Sequence, residues 1–186
     1  MRSLIFAALI VCAAIQARAD PSVLGLLAEP RTHAVMRHAL APGTGDPEDF
    51  DISDCATQRN LDEKGRRQAR RAGDMMREAG VMPDLIWSSR WCRCLETAEL
   101  MAIGPVETRS MLNSFSSARW QSVQKTKATR EALAALPADQ TAFLVTHNVN
   151  AEALTGTRPV SGEIQVVRVT EAGEIELLGS VTVPVF

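Results

Sequence analysis

Three short apolar runs, separated by segments of helical period, constrain the fold more than any other feature of the sequence. The runs are THAVM, DLIWS and TAFLVT, at residues 32–36, 84–88 and 141–146. Each has the length and apolar character of a buried strand. Strands that alternate with helices form sheets covered by those helices. The pattern therefore predicts an α/β fold, a three-layer α/β/α sandwich with a largely parallel central sheet.

The segments around these runs carry helix and strand signals of their own. A helix is expected over LDEKGRRQARRAGDMMREAG, with Asp62 as its N-cap and Gly80 as its stop. A second helix is expected to begin near Arg90 and to run through WCRCLETAELMA, and a third to run through KTKATREALAAL. The C-terminal segments GEIQVVRVT and EIELLGSVTV alternate as two strands, with a turn at residues 171–173.

The N-terminus has the pattern of a secretory signal peptide. Arg2 precedes the apolar run LIFAALIVCAAI, and small residues stand before Asp20 at the positions that a signal peptidase reads. At about a dozen residues the run is too short to span a bilayer, which takes a helix of roughly 20 residues. We therefore expect cleavage after Ala19, a signal peptide over residues 1–19, and export to the periplasm or the medium.

Residues 20–186 then form a single domain, and its composition excludes some classes of partner. The whole chain has 20 basic and 22 acidic residues, and the signal peptide removes two of the arginines. A mildly acidic surface argues against a nucleic-acid partner. The mature sequence contains no apolar stretch of membrane length, so no membrane span is expected.

Chemically active side chains follow all three predicted strands. The strands end at Arg37 and His38, at SSRWCR, which contains Arg93, and at His147. In open α/β sheets, ligands bind beyond the carboxyl ends of the strands. Two guanidinium groups brought to one sheet edge need an anion between them. The sequence therefore predicts an anion site that also holds two histidines.

Four motifs together resemble the histidine phosphatase superfamily, which has the phosphoglycerate mutase-like fold. Residues 37–39 are similar to the family's Arg-His-Gly motif, with Ala39 in place of glycine. SSRWCRCLETA resembles its Ser-Ser-Pro-Leu-x-Arg-Ala-x-Gln-Thr-Ala motif, and RNLDEKGRRQA resembles the start of its first helix. FLVTHNVNAEALTG matches its strand, histidine and helix. The resemblance is to the small branch that includes phosphohistidine phosphatases and periplasmic sugar-phosphate phosphatases.

The resemblance implies a metal-independent phosphomonoester hydrolase that needs no cofactor. His38 would attack phosphorus and form a phosphohistidine, which water then hydrolyses. Arg37, Arg93 and His147 would hold the non-bridging oxygens. The hydroxyl of Thr44 is a further candidate donor to phosphate, although a turn explains a threonine there equally well. The substrate would be a small phosphomonoester, and a phosphosugar of the cell envelope fits the expected compartment.

The general acid is missing from its expected places in the family pattern. Many members carry a glutamate in a Leu-x-Glu stretch after the second motif, where this chain has MLNSFSS, with Asn113 and Ser114 near that point, and others carry an aspartate where it has Asn148. Asp46 in the loop after the nucleophile is the first candidate for the role, and Glu163 is the second. A protein that binds a phosphorylated ligand without turnover is the alternative function, because such a protein would lose the acid first.

Three cysteines remain after signal cleavage, and in an exported protein they predict one disulfide bond. Cys92 and Cys94 point about 200° apart on a helix and cannot readily bridge each other, so Cys55 pairs with one of them. The family has a small buried alanine at the position of Cys94. The resemblance therefore favours a bridge between Cys55 and Cys92.

Two other residues have less decisive contexts. Arg59 either widens the cationic pocket or lies at the surface. His33, within the first strand, is expected to pack in the core. A zinc site built from Cys92, Cys94 and a histidine would need a fourth ligand and reduced thiols, so no metal is expected.

Overall fold

The computed structural model describes residues 23–186. The predicted signal peptide lies outside the described residues. A 3₁₀ helix over Val23–Ala28 comes first. The strands are β1 Thr32–Arg37, β2 Leu85–Ser88, β3 Val106–Thr108, β4 Ala142–Thr146, β5 Glu163–Val169 and β6 Ile175–Thr182. The α-helices are α1 Glu63–Glu78, α2 Cys92–Met101, α3 Ser122–Ala134 and α4 Asn148–Thr155.

The six strands form one sheet in the order β3-β2-β4-β1-β5-β6. The four strands from β3 to β1 are parallel, while β5 and β6 run antiparallel to their neighbours. This arrangement confirms the predicted largely parallel central sheet and the C-terminal pair of strands. β3 was not anticipated, because this edge strand is three residues long and none of them is buried.

Helices cover both faces of the sheet, which confirms the three-layer sandwich. Successive residues of β1 point to opposite faces, so Ala34 and Met36 pack with α1 and α2. Val35 packs on the other face, where α3 and α4 supply Leu133 and Ala151. The central strand β4 is buried along its whole length.

α1 begins as the sequence predicts and packs unusually close to its neighbours. The Asp62 carboxylate accepts a hydrogen bond from Gly65 N at 2.7 Å, which confirms the N-cap. A Cβ atom added at Gly65 would lie 1.9 Å from the carbonyl oxygen of Leu40, and one added at Gly73 would lie 1.9 Å from that of Met101. α1 therefore supports both the segment after β1 and the end of α2.

A disulfide bond joins Cys55 to Cys92, the first residue of α2, as expected. Cys94 is a buried free cysteine. α2 begins two residues after the expected Arg90, and Trp91 is its N-cap residue. Within residues 23–186, no helix is long and apolar enough to cross a membrane.

Candidate active site

The carboxyl ends of β1, β2 and β4 meet at one edge of the sheet and bring the two predicted histidines together. His38 N donates to the carbonyl of Thr146 at 2.9 Å, and Ser89 N donates to that of Val145 at 3.0 Å. The imidazole rings of His38 and His147 lie 5.6 Å apart, edge to face. Both side chains are buried. The strand register therefore fixes the separation of the two rings.

His38 has the protonation state of a nucleophile. Its Nδ1 lies 2.8 Å from the carbonyl oxygen of Ala39, and since a carbonyl only accepts, Nδ1 carries the proton. Nε2 then keeps its lone pair. Burial lowers the pKa of His38 well below 6.5, and the nearby charges of Arg93 and Arg37 lower it further. The ring is therefore neutral at pH 7.

His147 lies against two side chains of the second motif. Its Nε2 is 3.0 Å from the Ser89 hydroxyl and 3.5 Å from the Cys94 sulfur. Burial lowers the pKa of His147 well below 6.5, and the neighbouring His38 and Arg93 add to this effect. Burial also raises the pKa of the Cys94 thiol to about 12, so this cysteine stays protonated.

Arg37 and Arg93 each present a buried Nε–H group that has no hydrogen-bond partner among the described residues. Arg37 is anchored through Nη1, which donates to the carbonyl of Pro159 at 3.3 Å. The two guanidinium groups are close enough that Arg93 helps to lower the pKa of Arg37, after burial and the charge of Arg158. Buried donors without partners are costly, and an oxyanion between these arginines would satisfy them.

Asp46 forms an ion pair with Arg93. Its two oxygens lie 2.6 Å from Nη1 and 3.2 Å from Nη2 of Arg93. The indole N–H of Trp91 donates to Asp46 at 3.0 Å, and the backbone N–H of Arg59 donates at 3.2 Å. Burial alone would raise the pKa of Asp46, but the bonds and charge of Arg93 outweigh it and lower that pKa below its usual range. A general acid needs the opposite shift, so an acid role for Asp46 would require this ion pair to change.

The second acid candidate, Glu163, is not in the wall of the cavity that contains His38 and His147. It lies at the start of β5, and its carboxylate accepts a hydrogen bond from Val160 N at 2.9 Å. The structure thus gives the Glu163 carboxylate a backbone partner and no place in the cavity lining.

This cavity has a volume of about 700 Å³ and contains every other predicted site residue. Thr44 lies in its wall, as does Arg59, which is half-buried there. The Arg59 guanidinium donates to the carbonyls of Gly45 and Ala41. Among the described residues, no group of three or more His, Cys, Asp or Glu side chains is arranged to hold a metal ion.

Several wall residues were not anticipated from the sequence. Trp91 stacks on Phe50 at 5.1 Å and meets His147 edge to face at 5.3 Å. Arg119 and Arg158 also line the cavity. Arg119 begins a short 3₁₀ helix before α3, and Arg158 lies in the loop between α4 and β5, so only tertiary folding brings them to the site. Trp91 lies within SSRWCRCLETA, and its position between Ser89 and Arg93 was the available signal.

Comparison with known proteins identifies relatives of this fold. The sequence model for the histidine phosphatase superfamily (branch 1) matches residues 35–157. A 2,3-bisphosphoglycerate-dependent phosphoglycerate mutase of Nocardioides sp. is 54% identical over 39 residues, which are 21% of this chain and 16% of the mutase. A corresponding mutase of Clavibacter michiganensis is 31% identical over 74 residues, or 40% of this chain and 28% of the mutase. The chain thus matches well under a third of the length of these curated relatives.

Solved structures resemble nearly the whole described chain. The protein histidine phosphatase SixA complexed with tungstate superimposes with a TM-score of 0.57 at 16% identity, covering 81% of this chain and 96% of SixA. A mycobacterial glucosyl-3-phosphoglycerate phosphatase in complex with VO3 gives a TM-score of 0.58 at 16% identity, with coverages of 79% and 96%. At these identities the likeness shows the phosphoglycerate mutase-like fold.

Proposed function

The chain belongs to the histidine phosphatase superfamily (branch 1), and from this premise we propose that it hydrolyses phosphoric monoesters through a phosphohistidine at His38. One observation carries the proposal. The neutral imidazole of His38, with Nε2 unprotonated, lines the same cavity as Arg37 and Arg93, whose buried Nε–H groups have no partner among the described residues. The structural neighbours named above include two phosphatases, one bound to tungstate and one to VO3.

In the proposed mechanism the pocket first binds the phosphoryl group. Arg37, Arg93 and His147 donate hydrogen bonds to the non-bridging oxygens and stabilise the charge that spreads over them in the transition state. His38 Nε2 then attacks phosphorus, and the bond between phosphorus and the leaving oxygen breaks. The Nδ1–H bond to Ala39 supports the positive charge that the imidazole acquires. Water attacks the phosphohistidine, which releases inorganic phosphate and restores neutral His38.

Protonation of the leaving group determines which esters react fastest. Asp46 and Glu163 remain the candidate acids, although Asp46 is held as a carboxylate by Arg93. An aryl phosphate has a weakly basic leaving group that hardly needs a proton, whereas a sugar phosphate leaves as a basic alkoxide. The substrate we propose is a small phosphomonoester, and the hydroxyl groups of Ser114, Ser116 and Ser117 in the cavity wall suit a phosphosugar.

The nucleophile is tested by trapping the intermediate. The mature protein is quenched in acid or base during turnover of labelled p-nitrophenyl phosphate, beside a panel of envelope phosphosugars. We expect acid-labile, base-stable label on the wild type and none on His38→Ala. His33→Asn, which changes a buried histidine of β1 outside the cavity, is the matched control and should label normally. Label that persists on His38→Ala would overturn the mechanism.

A phosphate-binding protein without turnover is the second candidate. It is favoured by the lowered pKa of Asp46, because this carboxyl group then carries a proton even less readily than an ordinary aspartic acid. The same assay separates the two functions. Phosphate binding with no hydrolysis of either p-nitrophenyl phosphate or the phosphosugars would support binding alone.

We further propose that the protein acts outside the cytoplasm, as residues 20–186 after removal of residues 1–19. The bridge between Cys55 and Cys92 supports an oxidising compartment, because cytosolic thiols are kept reduced.

A further inference from the structure

Asp46 has a set of contacts that suits a different role from proton donation. We propose that Asp46 is a positioning residue, which holds the Arg93 guanidinium so that its free side edge faces the bound phosphoryl group. The proposal rests on the proposed function of the same site. In this role Asp46 orients Arg93 for binding of the phosphoryl group and does not donate a proton to the leaving group.

The planar geometry of the guanidinium group supports this role. Five N–H bonds point in fixed directions, and the two Nη atoms share the end of the group. Asp46 occupies this end with one oxygen on each Nη atom, at 2.6 and 3.2 Å. Nη1 also donates to the carbonyl of Arg59 at 3.2 Å. The donors of Arg93 that remain free are Nε–H and the second N–H of Nη2, which lie along one side edge of the guanidinium group.

That free edge is buried and has the right shape for phosphate. The Arg93 side chain is only 4% exposed, and its Nε is unpartnered within the described part of the chain. Two parallel N–H groups on one edge match two oxygens of a phosphoryl group in a bidentate contact. Asp46 therefore leaves the binding edge open and blocks rotation of the group about its side-chain torsions.

The carboxylate can orient Arg93 because it is itself fixed. Trp91 and the backbone of Arg59 donate to its oxygens. The loop that carries Asp46 is also fastened to α2 by the bridge between Cys55 and Cys92, and by a 2.9 Å hydrogen bond from Cys92 N to the side chain of Gln58. Orientation by a supporting shell of this kind is what a preorganised site needs.

Removing the carboxylate has two opposing effects, and these give the role a recognisable signature. Asp46→Asn removes a negative charge beside the anion site, which favours binding of phosphate in the ground state. It also places an amide N–H against an N–H of Arg93. The paired hydrogen bonds between residue 46 and the two Nη atoms are then lost, and the free edge of Arg93 is misaligned in the transition state. We therefore expect kcat to fall while the affinity for phosphate stays level or rises.

The experiment compares Asp46→Asn with Asp49→Asn. Asp49 lies on the same loop, but its side chain is exposed and it is not among the described residues that line the cavity. We measure kcat and KM with p-nitrophenyl phosphate and with an alkyl phosphate, and the inhibition constant of orthovanadate. Asp46→Asn should lower kcat about 10- to 100-fold on both esters alike, since hydrogen bonds between charged groups are worth this much. Asp49→Asn should leave kcat within about twofold.

Each other outcome overturns the proposal. A far larger loss on the alkyl phosphate than on the aryl phosphate would make Asp46 the general acid. Equal losses in kcat and in vanadate affinity would indicate general damage to the pocket. An unchanged kcat would show that Arg93 needs no positioning.

A second measurement needs no variant at Asp46, so it holds even if Asp46→Asn fails to fold. In wild-type protein labelled with ¹⁵N-arginine, the Nε–H signal of Arg93, assigned by its loss in Arg93→Lys, is followed during titration with inorganic phosphate. A downfield shift of this proton is expected when the free edge binds the anion. An unmoved signal at saturating phosphate would overturn the proposal. Because this test needs no turnover, it is independent of whether wild-type protein hydrolyses p-nitrophenyl phosphate.

Discussion

At the scale of single residues, the site depends on polar groups that folding buries without partners. The Nε–H groups of Arg37 and Arg93 have no partner among the described residues, and a buried donor without an acceptor costs about 1–3 kcal/mol. A phosphoryl oxygen bound as proposed would supply the acceptor, so the cost of burying these groups would contribute to ligand affinity.

The affinity for a phosphate analogue should therefore depend strongly on Arg93. Arg93→Ala removes a charged fork, and we expect the inhibition constant of orthovanadate to rise by about tenfold or more. Arg66→Ala is the control, because Arg66 pairs with Glu96 outside the cavity and should leave the constant unchanged. If Arg93→Ala and wild type had the same inhibition constant for orthovanadate, Arg93 would not be part of the binding site.

At the scale of secondary-structure elements, the loop between β1 and α1 is fastened to the start of α2. Asp46, Phe50, Cys55 and Gln58 each contact one of the first residues of α2 or its N-cap. The bridge closes a segment with a sequence separation of 37 residues. Chain-entropy estimates give such a cross-link about 4 kcal/mol of stabilisation.

Reduction should consequently lower the melting temperature and also loosen the site. We expect dithiothreitol to lower both Tm and kcat of the wild type, because the loop carries the carboxylate that holds Arg93. The double variant Cys55→Ser/Cys92→Ser should have a lower Tm and a lower kcat than oxidised wild type, and neither value should change when dithiothreitol is added. A double variant with the Tm of oxidised wild type would contradict the stabilising role.

The sequence was informative for elements whose signal is local and uninformative where loops converge. β1, β2 and β4 were predictable because buried strands need continuous apolar runs, and their ends placed Arg37, His38, Arg93 and His147 in advance. β3 was missed because an exposed edge strand needs no apolar residues. The contributions of Trp91 and Arg119 were missed because no local pattern encodes which loops will meet. The carboxylate of Asp46 was found, but its partner was not, since an ion pair across 47 residues leaves no periodic signal.

At the scale of the whole molecule, three buried neutral histidines make folding sensitive to acid. His33 accepts a hydrogen bond from Ala142 N through Nδ1, and burial lowers its pKa from 6.5 to about 4. In the unfolded chain, His33 therefore becomes protonated near pH 6.5. In the folded chain it becomes protonated only near pH 4. The stabilisation from this group is complete above pH 6.5 and is lost as the pH falls towards 4.

The expected loss from His33 alone is about 2 kcal/mol between pH 7.5 and pH 5, out of about 3 kcal/mol in total. Urea unfolding at the two pH values measures it. His33→Asn keeps an acceptor near the position of Nδ1 but cannot titrate, so its stability should fall less over the same range. Parallel curves for His33→Asn and wild type would show that another group controls the acid sensitivity.

The close approach of α1 to the chain after β1 limits which substitutions can accumulate during evolution. A single added methyl group at Gly65 would collide with the carbonyl of Leu40, two residues from His38. Any other amino acid at position 65 would therefore require the backbone of α1 or of Leu40 to shift. Related proteins could differ in the other residues of the cavity wall, but each would have to keep this glycine, which is not among the described residues that line the cavity.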